Sequence, residues 1–120
     1  MITPPPTVHN KQLWLKHCRK VRALAQRIID GKAGIIEGSR QMFRYQTWLH
    51  AGGVEEFQIF RVVDSDTDHL PFGKVRELWA ADALKEKDIE IKSIEDFYRK
   101  QVIEAAVKIR QKYEGSMKHK

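Results

Sequence analysis

A chain of 120 residues, 42% hydrophobic and 32% charged, has the composition of one globular domain able to bury its own core, which excludes the apolar-poor mixtures that stay unfolded. The single cysteine, Cys18, excludes an internal disulfide and suits a reducing compartment, so a cytoplasmic location is expected. No segment approaches a membrane span, and the opening residues carry three prolines and no apolar run, unlike a signal peptide.

The net charge of +6 conceals an asymmetry. Residues 1–50 hold nine Lys/Arg against two acids (+7), residues 51–98 six against twelve (−6), and residues 99–120 seven against two (+5). A chain patterned basic, acidic, basic is either a strong dipole or a bundle that neutralises itself through packing.

Residues 1–9, with Pro4-Pro5-Pro6, read as an extended, polyproline-like lead. Asn10 is a good N-cap, and Leu13, Trp14, His17, Val21, Leu24 and Ile28 then recur at helical spacing, which predicts a first helix to about Asp30. Its other side carries Lys11, Lys16, Arg19, Lys20, Arg22 and Arg27, making it basic and amphipathic.

Asp30-Gly31 reads as a stop, yet the apolar phase runs on through Ile35, Gly38, Met42, Tyr45 and Leu49, so a break or kink is expected before a second helix over about 33–50. Gly31, Gly34 and Gly38 each weaken a helix by about 1 kcal/mol relative to alanine. Close backbone packing, with the long C-terminal helix as partner, is the expected compensation.

Ala51-Gly52-Gly53 ends that helix, and Val54–Val63, with Glu55 and Glu56 in its first turn and Phe57, Phe60 and Val63 three apart, reads as a short helix in preference to a buried strand. A further short helix is expected over about 74–80, presenting Val75, Leu78 and Trp79. The last and longest opens at Asp82 or Asp88 and runs to about Glu114, with Ile91, Ile94, Tyr98, Val102, Ala105, Ile109 and Tyr113 on one stripe. Residues 115–120 form a basic tail.

The sum is an all-α single domain over residues 10–114, a bundle of four to five helices with a long C-terminal helix packed on the first two.

The one stretch where chemistry can be read is Asp64-Ser65-Asp66-Thr67-Asp68-His69-Leu70-Pro71-Phe72-Gly73. Asp64, Asp66 and Asp68 match the first three ligand positions of a calcium-binding EF-hand loop. The sixth position, normally glycine, is His69, and the twelfth, normally glutamate, is Val75, so that pattern fails. Asp66, Asp68 and His69 are suitable donors for a transition metal but are too close in sequence to converge on one ion unaided.

The stronger reading is structural: Asp66, Thr67 or Asp68 caps the following helix, and Pro71 sits in an early helical position. Surplus carboxylates are then expected in a polar network of Glu37, Arg40, Asp68 and Arg76 that fixes how the helices dock.

Lys16, Arg19, Lys20 and Arg27 are candidates for a surface that holds a partner or nucleic acid, with Trp14 or Trp48 able to stack on bases. No helix-turn-helix, zinc-finger or RNA-binding motif accompanies them. Cys18 adjoins His17, but neighbours on a helix point about 100° apart, so they form no thiolate–imidazole dyad. No phosphate loop, nucleophile elbow or paired catalytic carboxylates are found, and no cofactor is implied.

Ile35-Ile36-Glu37-Gly38-Ser39-Arg40 and Thr67-Asp68-His69-Leu70-Pro71-Phe72-Gly73-Lys74-Val75-Arg76 resemble segments of a family of small uncharacterised bacterial proteins, over about residues 20–110. The resemblance implies bacterial origin and helical architecture and carries over no catalytic residue.

Three functions follow as expectations. The first is a non-enzymatic protein–protein interaction module, of which a toxin-neutralising immunity protein is one form. It rests on small size, segregated charge and the lack of a catalytic constellation, although the sequence alone leaves an enzymatic role open. The second is metal binding through Asp66, Asp68 and His69, and the third is nucleic-acid binding through the basic first helix. A homodimer is compatible with each.

Overall fold

Asn10 opens the first helix as its spacing predicts. In the computed structural model of the chain, which describes residues 2–114, its side chain accepts from the Leu13 N–H at 2.9 Å. Four α-helices follow: α1 (Lys11–Ile29), α2 (Ile35–Trp48), α3 (Gln58–Asp66) and α4 (Ala81–Lys112), with 3-10 turns at Glu55–Phe57 and Gly73–Leu78. The described residues contain no strand, and the all-α bundle expected from hydrophobic spacing is the fold observed.

α1 buries Trp14, Cys18, Val21, Leu24, Ala25 and Ile28, a stripe that recurs every three or four residues. Its partners are the C-terminal half of α4 along its length and α2 beside it, while α2 packs chiefly on α3. Phe57, Phe60, Ile36, Met42, Leu49, Val63, Val102 and Ile109 complete a core with essentially no exposure.

The helix expected to break or kink near Gly31 breaks. Gly31 adopts φ 75°, a left-handed conformation that glycine takes without steric cost, and the Lys32 N–H returns to the Arg27 carbonyl at 2.8 Å to close the turn. α2 then starts at Ile35 without a side-chain cap from its own N-cap residue, Gly34. A carboxylate from α4 serves instead: Glu95 Oε2 accepts from the Ile36 N–H at 3.4 Å, placing negative charge where the α2 dipole favours it.

Gly31 has nothing packed against it, contrary to expectation, and the close packing expected of the other two glycines is divided between two partners. Gly34 faces Glu95 of α4, but Gly38 lies against Ile28 of α1, so the partner at the tightest approach is the first helix rather than the last.

α2 ends at Trp48, with Leu49 as its C-cap, before the glycines. His50 adopts φ 55°, and the turn is tied by the Ala51 N–H to the Gln46 carbonyl at 3.0 Å and by Gln46 Nε2 to the Ala51 carbonyl at 3.1 Å. The lead is docked rather than simply extended. Val8 N–H turns back to the Pro5 carbonyl at 3.0 Å, Thr7 Oγ1 lies 2.8 Å from His50 Nδ1, and Ile2 and Val8 pack against the core.

Helix capping by the aspartates is a correction. Asp64, Ser65 and Asp66 continue α3, so this segment finishes a helix and starts none. The next elements have Phe72 and Ala80 at their N-caps, and neither makes a side-chain cap bond. The physical reason lies in the α3 stripe: Phe60 and Val63 are continued by Thr67, which is fully buried and donates its hydroxyl to the Val63 carbonyl at 2.6 Å.

The short helix expected near 74–80 is present as a 3-10 helix over Gly73–Leu78, with no residue of it buried. α4 begins at Ala81 with Asp82 in its first turn, which decides between the two expected openings. The basic tail at 115–120 lies outside the described residues.

α4 has 32 residues, about 48 Å at 1.5 Å per residue, and sets the long axis of a body measuring 50 × 25 × 25 Å. Its buried residues are Tyr98, Val102, Ala105, Ala106 and Ile109, all in the second half. The first half, through Phe97, carries only exposed and half-buried positions.

Candidate functional site

Two regions hold the residues singled out by the sequence: the aspartate corner after α3 and the basic surface of α1 and α2. At the corner, Thr67 is the buried pivot, and the Arg40 guanidinium donates through Nη2 to its carbonyl while lying 4.9 Å from the centre of the Phe72 ring. Arg40 Nε is buried with no hydrogen-bond partner among the described residues, so this anchor is incompletely satisfied.

The other corner residues reach out to α4. Asp66 accepts from the Tyr98 hydroxyl, which, with burial, raises the Tyr98 pKa. His69 Nε2 lies 2.6 Å from Glu90 Oε2, and Arg76 grips Asp88 with two bonds of 2.9 and 3.1 Å while also reaching the Pro71 carbonyl at 3.3 Å. These partners hold the Glu90 and Asp88 carboxyls below the usual carboxylate range, with the bond to His69 the largest cause at Glu90 and the bond to Arg76 the largest at Asp88.

The four expected members of one polar network therefore do not meet. Arg40 is committed to Thr67 and Arg76 to Asp88, and among the described residues no hydrogen bond or ion pair joins the exposed Glu37 or Asp68 to either. The corner's ties to α4 are pairwise: Asp66 to Tyr98, His69 to Glu90 and Arg76 to Asp88. Sequence reasoning missed Tyr98, Asp88 and Glu90 as partners because they lie far along the chain, on a helix read only for its apolar stripe.

The three metal candidates also diverge, with Asp66 turned to Tyr98 and His69 to Glu90. Among the described residues no group of three or more His, Cys, Asp or Glu is placed to hold a metal ion.

The basic surface has more shape. Trp48, at the end of α2, is 48% exposed although it packs on two rings: Tyr45 edge-on at 5.0 Å and His17 of α1 tilted at 5.1 Å. On one side of Trp48 lies a concavity of about 370 Å³ lined with His9, Leu13, His17 and His50. On the other lies one of about 290 Å³ formed by Arg27, Gln41, Arg44, Tyr45 and Trp48. No acidic side chain lines either.

Lys16 and Lys20 reinforce the same field. Burial first, and then the charges of Lys20 and Lys16, lower the pKa of His17. Of the four candidates on α1, Arg27 lines the surface directly, Lys16 and Lys20 border it through His17, and Arg19 is exposed beside Cys18.

Trp14, also considered for base stacking, is unsuited to it: 4% exposed, it donates Nε1–H to the Leu49 carbonyl at 2.9 Å and is part of the core. Cys18 is fully buried, and burial pushes its thiol up to about 12, which makes it a core residue and not a nucleophile.

No helix among the described residues is long and apolar enough to cross a membrane. Compared with protein-family models, curated proteins and solved structures, the chain matches none.

Proposed function

We propose that this chain is a non-enzymatic interaction protein whose α1–α2 surface, centred on Trp48, receives an acidic segment of a partner protein. The carrying observation is the half-exposed Trp48 ring, which lines one concavity together with Arg27 and Arg44 on a surface with no acid lining it. Tryptophan, tyrosine and arginine are the residue types that dominate binding energy at protein interfaces, and here they are neighbours. The cationic border steers an acidic partner to the site and makes the encounter sensitive to salt. A toxin-neutralising protein of the immunity type is the form of this reading that best suits a small chain with segregated charge.

The test is a quantitative capture from bacterial lysate with wild type, Trp48→Ala and Arg44→Glu side by side. A partner retained by wild type at low salt, released at moderate salt and lost by both variants supports the reading. Capture indifferent to Trp48 and Arg44 refutes it.

A second reading has an observation of its own: an exposed ring flanked by guanidinium groups also matches the stacking platforms that bind single-stranded nucleic acid. Titration with oligothymidylate, read by tryptophan fluorescence, separates the two. Quenching that is lost in Trp48→Ala and weakens steeply between low and moderate salt selects nucleic acid, and absence of quenching excludes it.

A further inference from the structure

The outward side of α4 carries an unpartnered stripe. Glu86, Ile89, Ser93, Phe97 and Lys100 follow one another at steps of three and four residues, so they share one face of the helix. That face points about half a turn away from Tyr98, Val102, Ala105 and Ile109, the residues that bury α4 against the body. All five positions are exposed, and the two large apolar members are left largely in water, Ile89 at 73% and Phe97 at 70%.

Between Lys87 and Arg99 the charges beside the stripe are engaged within the chain, Glu95 with the Ile36 N–H and the rest in ion pairs. Lys92 and Arg99 pair with Asp96, Lys87 pairs with Glu90, and Arg76 pairs with Asp88. Among the described residues Glu86 and Lys100 have no ion-pair partner within the chain.

The order of residues along the stripe identifies what covers it. Ser93, the small residue, lies midway between Ile89 and Phe97 and also midway between Glu86 and Lys100. Two copies of this helix placed antiparallel about a two-fold axis at Ser93 put Ile89 against the second copy's Phe97 and Glu86 against its Lys100, twice over. The smallest side chain then sits where the axes approach most closely.

A parallel two-fold pairing would set Glu86 against Glu86 and Lys100 against Lys100. Only the antiparallel arrangement satisfies both the apolar and the charged positions. We infer that the outward face of α4 is a self-association surface and that its partner is a second copy of this chain, crossing at Ser93.

Further out, Asp82 and Glu104 fall in like-charge apposition, so the two helices diverge at an angle and the contact is confined to the central turns. An interface of that extent is at the small end of specific contacts. The dimer therefore dissociates on dilution.

Sedimentation velocity of the full chain over a wide concentration range tests this. The expected result is a mass that rises from 14.0 kDa towards twice that value, with a midpoint displaced to higher concentration by roughly tenfold or more in Phe97→Ser, an exposed position whose only ring contact among the described residues is with Tyr98, edge-on at 4.9 Å. Glu86→Lys and Lys100→Glu each weaken association, and the double variant Glu86→Lys/Lys100→Glu restores it.

Ser93→Cys provides a second readout, because the only native cysteine is fully buried. It forms a disulfide-linked dimer under mild oxidation faster than the control Asp82→Cys. A chain that stays monomeric at every concentration, a dimer unaffected by Phe97→Ser, or cross-linking no faster at 93 than at 82 overturns the assignment.

Discussion

Ile28 of α1 occupies the space that a side chain at Gly38 of α2 would need: a β-carbon there would lie 2.7 Å from Ile28 Cγ1 and 3.0 Å from Cδ1. Alanine at 38 gains about 1 kcal/mol of helix propensity, but overpacking of a well-filled core costs about 1–3 kcal/mol, and the contact at Cγ1 is with the inner part of a stiff side chain. Gly38→Ala is therefore destabilising in a urea or thermal melt. A double-mutant cycle with Ile28→Ala gives a combined loss smaller than the sum of the two, because each substitution relieves the other.

Trp14→Phe tests the tie between α1 and the end of α2. The substitution deletes the donor to the Leu49 carbonyl and leaves that carbonyl buried without its partner, at a cost of about 1–3 kcal/mol in addition to the volume lost. The same melt shows a lower midpoint with an unchanged slope.

His17 gives the fold a pH dependence. The unfolded chain takes up its proton near 6.5, and the folded chain resists it to lower pH because burial, Lys20 and Lys16 disfavour the imidazolium. Between those two values the unfolded state binds more protons, so stability rises with pH through that window and is lost as pH falls below about 6.5. Urea midpoints at mildly acidic and mildly alkaline pH show this drop in wild type and a smaller one in His17→Gln.

Glu90 gives a second, more acidic dependence of the same sign. Its folded-state pKa is held below the ordinary 4.5, by the bond to His69 first and by Lys87 after it. Its contribution is complete above 4.5 and disappears as pH falls through the folded value. The pair is exposed, so the effect is small: Glu90→Gln lowers the neutral plateau of a melting-temperature profile slightly and leaves the acid end unchanged, so the acid limb is flatter.

Cys18 is predicted to be inert in the native state. With no exposure and a thiol pushed up to about 12, it reacts with a disulfide reagent only as fast as the fold opens, and urea releases the full stoichiometry at once.

The helices were largely legible because their evidence is periodic. The Asn10 cap, the α1 stripe and the run from Tyr98 to Ile109 are local patterns that packing reinforces. The aspartate corner was misread because three carboxylates at alternate positions look like cap chemistry, whereas the deciding residue was Thr67. An apolar-sized β-branched side chain four residues after Val63 extends the buried face of α3 by one turn, and its hydroxyl is satisfied by the helix itself.

The basic face was legible in composition but not in its centre. Nothing in the spacing of His17, Tyr45 and Trp48 shows that two helices bring the rings of His17 and Tyr45 each to about 5 Å from that of Trp48. The pairings of Asp66, His69 and Arg76 with α4 were likewise invisible, because each joins residues separated by a dozen or more positions whose proximity depends on the completed fold.

α4 is one unbroken ladder of peptide bonds laid across two supports. From Tyr98 onward its amides are shielded by the core and open only with the whole molecule; before that, the helix's own turns are supported by the half-buried Ile91 and Ile94, the Glu95 contact with α2 and the corner pairs. Deuterium uptake should therefore proceed as a gradient along a single rod, fast near Ala81 and arrested past Tyr98, with no proline or glycine to mark the boundary.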